Sequence, residues 1–173
     1  MAQQGLLLIG EHDQTIDEKL RLLIPSELRK AINPERDGTA LFLVLGLNGK
    51  VWFYPEFKYL ELVQQTQSDI TPGDAELDFA HANFALASKL EWDSQGRLQL
   101  PKEWFKRTDL GKEVTLIGAG DHGEIWNRAD WAVRREQILA RHAEIAIRAK
   151  QARLSPPNQG GPAAGSNGSP PRV

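Results

Sequence analysis

The chain has 173 residues, no cysteine, four histidines and a formal net charge of −2. The absence of cysteine excludes disulfides, thiol nucleophiles and cysteine-based zinc sites. The longest apolar runs, LLLI and LFLVLGL, are far shorter than the ~20 residues that a membrane-spanning helix needs. We therefore expect a soluble cytoplasmic protein with no cofactor and no contact with a membrane. The histidines also lack metal-ligand spacing, and they are His12, His81, His122 and His142.

The charge is unevenly distributed along the chain. Residues 1–90 contain thirteen acidic and eight basic residues, whereas residues 128–154 contain seven basic and three acidic residues. A domain that binds nucleic acid usually has a high pI, whereas this sequence has a pI near 6.1. Charge alone therefore does not predict a nucleic-acid partner, and any surface for one must be local.

Two nine-residue segments share one pattern. DEKLRLLIP at residues 17–25 and DSQGRLQLP at residues 93–101 each have an arginine four positions after an aspartate and a proline four positions further on. GLNGKVWF at residues 46–53 and GDHGEIWN at residues 120–127 likewise share two glycines and a tryptophan. The sequence therefore contains two copies of one unit.

Each unit is predicted to contain a strand, a tight Asp-x-x-x-Arg turn, a strand, a short helix beginning at proline, and a hairpin with a glycine turn. A helix follows each unit, near Pro55 and near Arg128. Strands this short do not form an independent sheet, so the two units are expected to exchange hairpins around a shared core. The predicted strands, rich in branched and aromatic residues, are LRLLI, LFLVL, KVWFY, NFALASKLEW, RLQL, VTLIG and EIWN.

The predicted fold class is α+β, mainly β with helices, and forms a pseudo-two-fold double-psi or swapped-hairpin barrel. Trp131, Ile138 and Ile145 follow heptad spacing, which predicts one long C-terminal helix. The final segment is rich in Pro, Gly and Ser and is expected to be disordered. The predicted domains are a first repeat over residues 1–80, a second repeat with the C-terminal helix over residues 81–153, and a tail over residues 154–173.

The paired Asp-x-x-x-Arg frames, together with LGKEVTLIGAGDHGEIWNRADW after the second, closely resemble the MraZ family of bacterial transcription factors. Members of that family are tandem AbrB-like swapped-hairpin barrels. The resemblance implies a nucleoid-associated, homo-oligomeric ring that binds direct repeats of double-stranded promoter DNA through these frames. It further implies regulation of the division and cell-wall gene cluster, with repression as the expected direction.

The expected base contacts are Arg97 and Arg21, because an arginine can donate two hydrogen bonds to guanine O6 and N7. The alternative explanation of each frame is an ion pair between aspartate and arginine that only stabilises the turn. The other predicted site residues are Lys19 and Gln95 as DNA contacts, Asp17, Asp93 and Gly96 as supports of the turns, and Lys102 and Lys106 as candidate phosphate contacts.

The two turns differ in sequence at one conformationally important position. Members of the family usually have Lys-Gly-Arg inside the frame, whereas Leu20 stands before the arginine in the first copy and Gly96 in the second. Glycine adopts positive φ freely, whereas leucine held there costs about 1 to 2 kcal/mol. The first hairpin is therefore predicted to turn differently from the second.

GAGDHG at residues 118–123 matches the dinucleotide-binding fingerprint, but a strand is predicted after it where the fingerprint needs a helix. Trp52 and Trp126 occupy equivalent positions and are expected to be packing anchors. With no nucleophile elbow and no histidine with a spaced partner, we expect neither an enzyme nor a small-molecule substrate. Two other functions remain open: an oligomeric protein-interaction module of the same fold, and an AbrB-type antitoxin.

Overall fold

A computed structural model of the chain describes residues 5–66 and 73–154. The chain divides into two compact units, Met1–Arg134 and Arg135–Val173. All strands in the described residues belong to the first unit. The predicted tail begins at residue 154, the last residue of a helix, and the rest of it lies outside the described residues.

The elements of the first copy follow the predicted order. They are β1 (Glu11–Thr15), β2 (Arg21–Leu23), α1 (Ser26–Ala31), α2 (Pro34–Asp37), β3 (Ala40–Leu45), β4 (Val51–Pro55) and α3 (Glu56–Thr66). Then come α4 (Asp74–Ala80), a π-helical turn (His81–Ala85), β5 (Ser88–Glu91), β6 (Arg97–Gln99), α5 (Lys102–Thr108), β7 (Glu113–Gly118), β8 (Gly123–Asn127), α6 (Arg128–Ala140) and α7 (His142–Leu154). The predicted α+β class is confirmed.

Two predicted elements differ from the structure. The strand predicted from NFALASKLEW is shorter, because its first residues belong to the π-helical turn, in which the Leu86 N–H bonds to the His81 carbonyl at 3.3 Å. The single long C-terminal helix is two helices, α6 and α7. They meet at Arg141, whose N–H bonds to the Ile138 carbonyl three residues back at 3.2 Å, a tighter turn than an α-helix has.

The strands pair mainly between the two copies. Six form an antiparallel sheet in the order β1-β7-β8-β4-β3-β5, and β2 pairs with β6 in a separate two-stranded ribbon. Four pairings, β1–β7, β4–β8, β3–β5 and β2–β6, each join the first copy to the second. The predicted exchange of hairpins is therefore present, while β1 and β5 end the sheet and its closure into a barrel remains a prediction.

One core serves both copies. Leu22 and Leu98 are fully buried at equivalent positions of β2 and β6, and Phe53 of β4 and Trp104 of α5 are fully buried in the same cluster. β8 approaches Phe53 so closely that a Cβ on Gly123 would lie 2.0 Å from the ring. Both strands of the ribbon are therefore packed against this core through Leu22 and Leu98.

The β7–β8 turn contains the GAGDHG segment, and a strand follows it as predicted. The geometry is that of a hairpin, with the Ala119 N–H bonding to the His122 carbonyl at 2.9 Å. No helix in the described part of the chain is long and apolar enough to cross a membrane.

Candidate nucleic-acid interface

The second Asp-x-x-x-Arg turn is organised by the carboxylate of Asp93. Its Oδ1 accepts the backbone N–H of Gln95 at 2.9 Å and of Arg97 at 3.0 Å. Its Oδ2 accepts two further hydrogen bonds from the Arg97 guanidinium, from Nε at 2.9 Å and from Nη2 at 2.7 Å. One aspartate thus closes the turn and orients the arginine at the same time.

The first turn repeats this arrangement. Asp17 Oδ1 accepts the backbone N–H groups of Lys19 and Arg21, both at 2.9 Å. Asp17 Oδ2 accepts Arg21 Nε at 2.7 Å and lies 2.7 Å from Arg21 Nη2. The predicted alternative, an ion pair across each frame, is therefore present, and the geometry alone is compatible with both explanations.

These hydrogen bonds hold both carboxylates in the ionised form. The side-chain hydrogen bond from Arg97 is the largest cause that lowers the pKa of Asp93 from 3.8 to about 2. The backbone N–H of Arg21 is the largest cause that lowers the pKa of Asp17. A carboxyl group whose pKa is lower in the folded than in the unfolded chain stabilises the fold when it is ionised. The contribution of Asp93 is therefore present above pH 3.8, the pKa in the unfolded chain, and is lost as the pH falls towards 2. Both pairs are intact at neutral pH.

The prediction that the two turns differ is wrong. Leu20 adopts a φ of 59° and Gly96 a φ of 80°, and their N–H groups bond to the Asp17 and Asp93 carbonyls at 2.9 and 2.8 Å. Leucine accepts the left-handed conformation because the Asp17 carboxylate fixes the turn. The Leu20 carbonyl also accepts the N–H of Leu100 from the other copy at 2.9 Å.

The β2–β6 ribbon has one buried face and one outward face. Leu22 and Leu98 lie opposite each other and are fully buried, so the residues on either side of them point away from the core. The outward residues of the two strands form what we call the ribbon face: Arg21, Leu23, Arg97 and Gln99.

The ribbon face brings the two predicted base-contacting arginines together. Arg21 lies opposite Gln99, and Arg97 lies opposite Leu23. The two arginines are therefore diagonal neighbours, a relation that places residues about 7–8 Å apart in an antiparallel pair. Their side chains are 30% and 28% exposed, respectively. Two oriented guanidinium groups thus share one accessible surface.

The other predicted DNA contacts are exposed residues of the two turns and of α5. Lys19 and Gln95 are exposed at the tips of the first and second turn, and Lys102 and Lys106 are exposed on α5. Lys102 follows Leu100, which bonds to the first turn, by only two residues. The exchange of strands therefore brings the chain just before Lys102 into contact with the first turn, although the sequence puts Lys102 next to the second.

Comparison with known proteins identifies the family. Residues 7–79 and residues 84–155 each match the family model described as "MraZ protein, putative antitoxin-like", and each match contains one Asp-x-x-x-Arg turn. The chain belongs to the MraZ family. The relatives below are each named "Transcriptional regulator MraZ".

The first relative, from Heliobacterium modesticaldum, is 32% identical over 141 residues, which are 81% of this chain and 94% of the relative. The second, from Pelotomaculum thermopropionicum, is 33% identical over 141 residues, which are 81% and 93%. The third, from Moorella thermoacetica, is 33% identical over 126 residues, which are 72% and 84%. The similarity therefore extends over most of both chains.

In this MraZ-family chain, sequence reasoning missed Arg29, which packs over the second turn. Arg29 Nε donates to the Ile24 carbonyl at 3.0 Å, and a Cβ on Gly96 would lie 2.5 Å from that same nitrogen. Gly96 has a positive φ, as Leu20 does in the first turn, but only at Gly96 does the Arg29 side chain occupy the place of a Cβ. The predicted exchange of hairpins could have indicated Arg29, because it brings α1 of the first copy to the turn of the second.

Sequence reasoning also missed Leu23 and Gln99. The signal for both was strand alternation, since each lies two residues after a predicted base-contacting arginine and so shares its face.

Gly96→Ala is expected to destabilise this MraZ-family fold more than Gly49→Ala does. Both glycines have positive φ, 80° and 73°, so alanine at either position is strained by about 1 to 2 kcal/mol. Only Gly96 adds a steric conflict, since no atom lies within 4 Å of a Cβ at Gly49. Urea denaturation of both variants measures the difference. Equal losses would show that Arg29 moves aside without cost.

Proposed function

We propose that this protein is a sequence-specific DNA-binding transcriptional regulator that inserts its ribbon face into the major groove. The observation that carries the proposal is the pair of diagonal arginines, Arg21 and Arg97, on the outward face of a two-stranded antiparallel ribbon. The major groove of B-DNA is about 12 Å wide and admits such a ribbon. The relatives named as transcriptional regulators support a role of this kind.

The ion pairs prepare the arginines for this role. A guanidinium has about five N–H donors, and the Asp93 carboxylate accepts from Nε and Nη2 of Arg97. The edge formed by Nη1 and the second N–H of Nη2 has no hydrogen bond within the described residues. That edge has the two donors that guanine O6 and N7 accept. Asp93 and Asp17 thus act as positioning residues, and Gly96 provides the turn.

Lysines at the border of the ribbon face suit the phosphate backbone. Lys19 extends from the tip of the first turn, and Lys102 follows the strand that bonds to that turn. Phosphate contacts fix the orientation of a protein on DNA, whereas base contacts specify the sequence. We assign Lys19, Lys102 and Lys106 to phosphates and Gln95 to a supporting DNA contact.

A single ribbon offers few contacts, and the net charge of −2 gives no general attraction to DNA. Binding therefore requires several protomers, which we place in a homo-oligomeric ring on direct repeats. Linked modules gain roughly 10²- to 10⁴-fold in binding without new contacts. The regulated DNA in this proposal is the promoter of the division and cell-wall gene cluster, where the protein acts as a repressor of its own operon.

DNA binding across a salt series tests the proposal. We expect the DNA directly upstream of the protein's own gene to bind more tightly than a shuffled duplex of equal length in fluorescence anisotropy. The logarithm of the affinity should fall linearly with the logarithm of salt concentration, with a slope of about −0.9 for each phosphate contact. Light scattering of the complex measures the number of copies. No binding at moderate salt would favour the interaction module of the same fold.

A further inference from the structure

The two halves of the ribbon face are not equivalent. Leu23 and Gln99 each lie two residues after the arginine of their frame, so they occupy the same position in the two copies. Both are exposed, and each lies opposite the arginine of the other copy. One half of the face therefore ends in an apolar side chain and the other in an amide.

The amide of Gln99 is held in one orientation. Its Nε2 donates to the backbone carbonyl of Lys19 in the first turn at 2.6 Å. Only the amide nitrogen can donate to a carbonyl, so this bond fixes which end of the amide is Nε2 and which is Oε1. One N–H and the Oε1 acceptor then have no hydrogen bond within the described residues.

That remaining pair of groups matches one base. In the major groove adenine presents N7 as an acceptor and the N6 amino group as a donor, and a glutamine amide can bond to both at once. We infer that Gln99 is a specificity-determining residue that contacts an adenine in the major groove. The inference rests on the proposed function, because it requires the ribbon face to enter that groove.

The asymmetry has a consequence for how DNA is bound. Leu23 has no hydrogen-bonding group in its side chain, so the equivalent contact in the other half cannot select adenine in this way. Each ribbon therefore distinguishes the two orientations of its site. This property suits direct repeats, on which every protomer has the same orientation, rather than a palindrome.

Selection from a randomised double-stranded DNA pool tests the inference with the full chain. Wild type, Gln99→Leu and Gln99→Glu are each incubated with the pool, and the bound duplexes are sequenced. Wild type is expected to select an adenine at one position and to bind it about 5- to 150-fold more tightly than other bases there. Gln99→Leu gives the two halves of the ribbon face the same side chains, so it should lose this preference.

Gln99→Glu keeps the shape of the side chain and removes its donor. Because glutamate can donate neither to adenine N7 nor to the Lys19 carbonyl, it is expected to lose the preference for adenine at that position. Gln64→Leu makes the same substitution at an exposed position on α3, outside the ribbon face, so it is the matched control and should leave the adenine preference unchanged. Thermal melting of each variant verifies that it is folded.

The outcomes separate the inference from the proposed function. A wild type that enriches no sequence overturns the proposed function. A wild type that enriches a site, while both Gln99 variants keep its preference at every base pair, overturns the inference alone. Uniform weakening in the Gln99 variants, with the adenine preference retained, also overturns the inference, because Gln99 would then act only on the backbone of Lys19.

Discussion

Arg97→Ala is expected to reduce the affinity for the preferred duplex by about 30-fold or more when two or more protomers bind. Each bidentate contact to guanine contributes roughly 1 to 3 kcal/mol, and the losses add across linked copies. Arg97 is already oriented by two hydrogen bonds to Asp93, so its side chain loses little conformational entropy when it contacts the base. Anisotropy titrations at one fixed salt concentration measure the loss.

Two control variants identify the cause of that loss. Arg97→Lys keeps the charge but not the planar fork, so it should lose the preference for guanine at the base pair that Arg97 contacts while keeping part of the overall affinity. Lys58→Ala removes an equal charge from α3, where Lys58 pairs with Glu61. That variant should bind almost as wild type does. If Arg97→Ala also bound like wild type, the ion pair with Asp93 would serve only to stabilise the turn.

The elements that the sequence predicted correctly are those with strong local signals. β3 and β4 come from runs of branched and aromatic residues on both sides of a glycine turn. α1 and α5 begin directly after Pro25 and Pro101, whose φ values of −53° and −64° suit the start of a helix. The exchange of strands followed from their shortness, because none of them could bury a face alone.

The failures of sequence prediction have non-local causes. The π-helical turn contains Asn83, whose carbonyl accepts a 2.5 Å hydrogen bond from the Tyr59 hydroxyl of α3. Apolar residues in that segment fit a strand equally well, so periodicity alone could not decide. Leu20 is the exception, because its positive φ belongs to a local turn that the Asp17 carboxylate closes.

The sequence predicted the two arginines of the candidate site but not Gln99. The repeated frames identified Arg21 and Arg97 because both copies contain the same residue at the same spacing. Gln99 differs from its counterpart Leu23, so the repeat gave no reason to select it. Its position on the ribbon face depends on the register of β2 against β6, and a shift of one residue would turn it towards the core.

Trp104→Ala is expected to lower the free energy of unfolding by about 3 to 5 kcal/mol. The Trp104 side chain is fully buried at 0% exposure in the core shared by both copies. Its Nε1 donates to the Ser88 hydroxyl of β5 at 2.9 Å, so the substitution removes both packing and a link between α5 and the sheet. Urea denaturation followed by circular dichroism, with every variant at the same protein concentration, measures the change.

Ser88→Ala separates the two contributions of Trp104. It leaves the packing intact and removes only the acceptor, so the indole N–H stays buried without a partner at a cost of about 1 to 3 kcal/mol. Trp131→Ala is the second control, because Trp131 is half-buried and its Nε1 donates to Glu11. Its loss should be clearly smaller than that of Trp104→Ala. Equal losses would contradict the prediction that complete burial makes Trp104 the larger contributor.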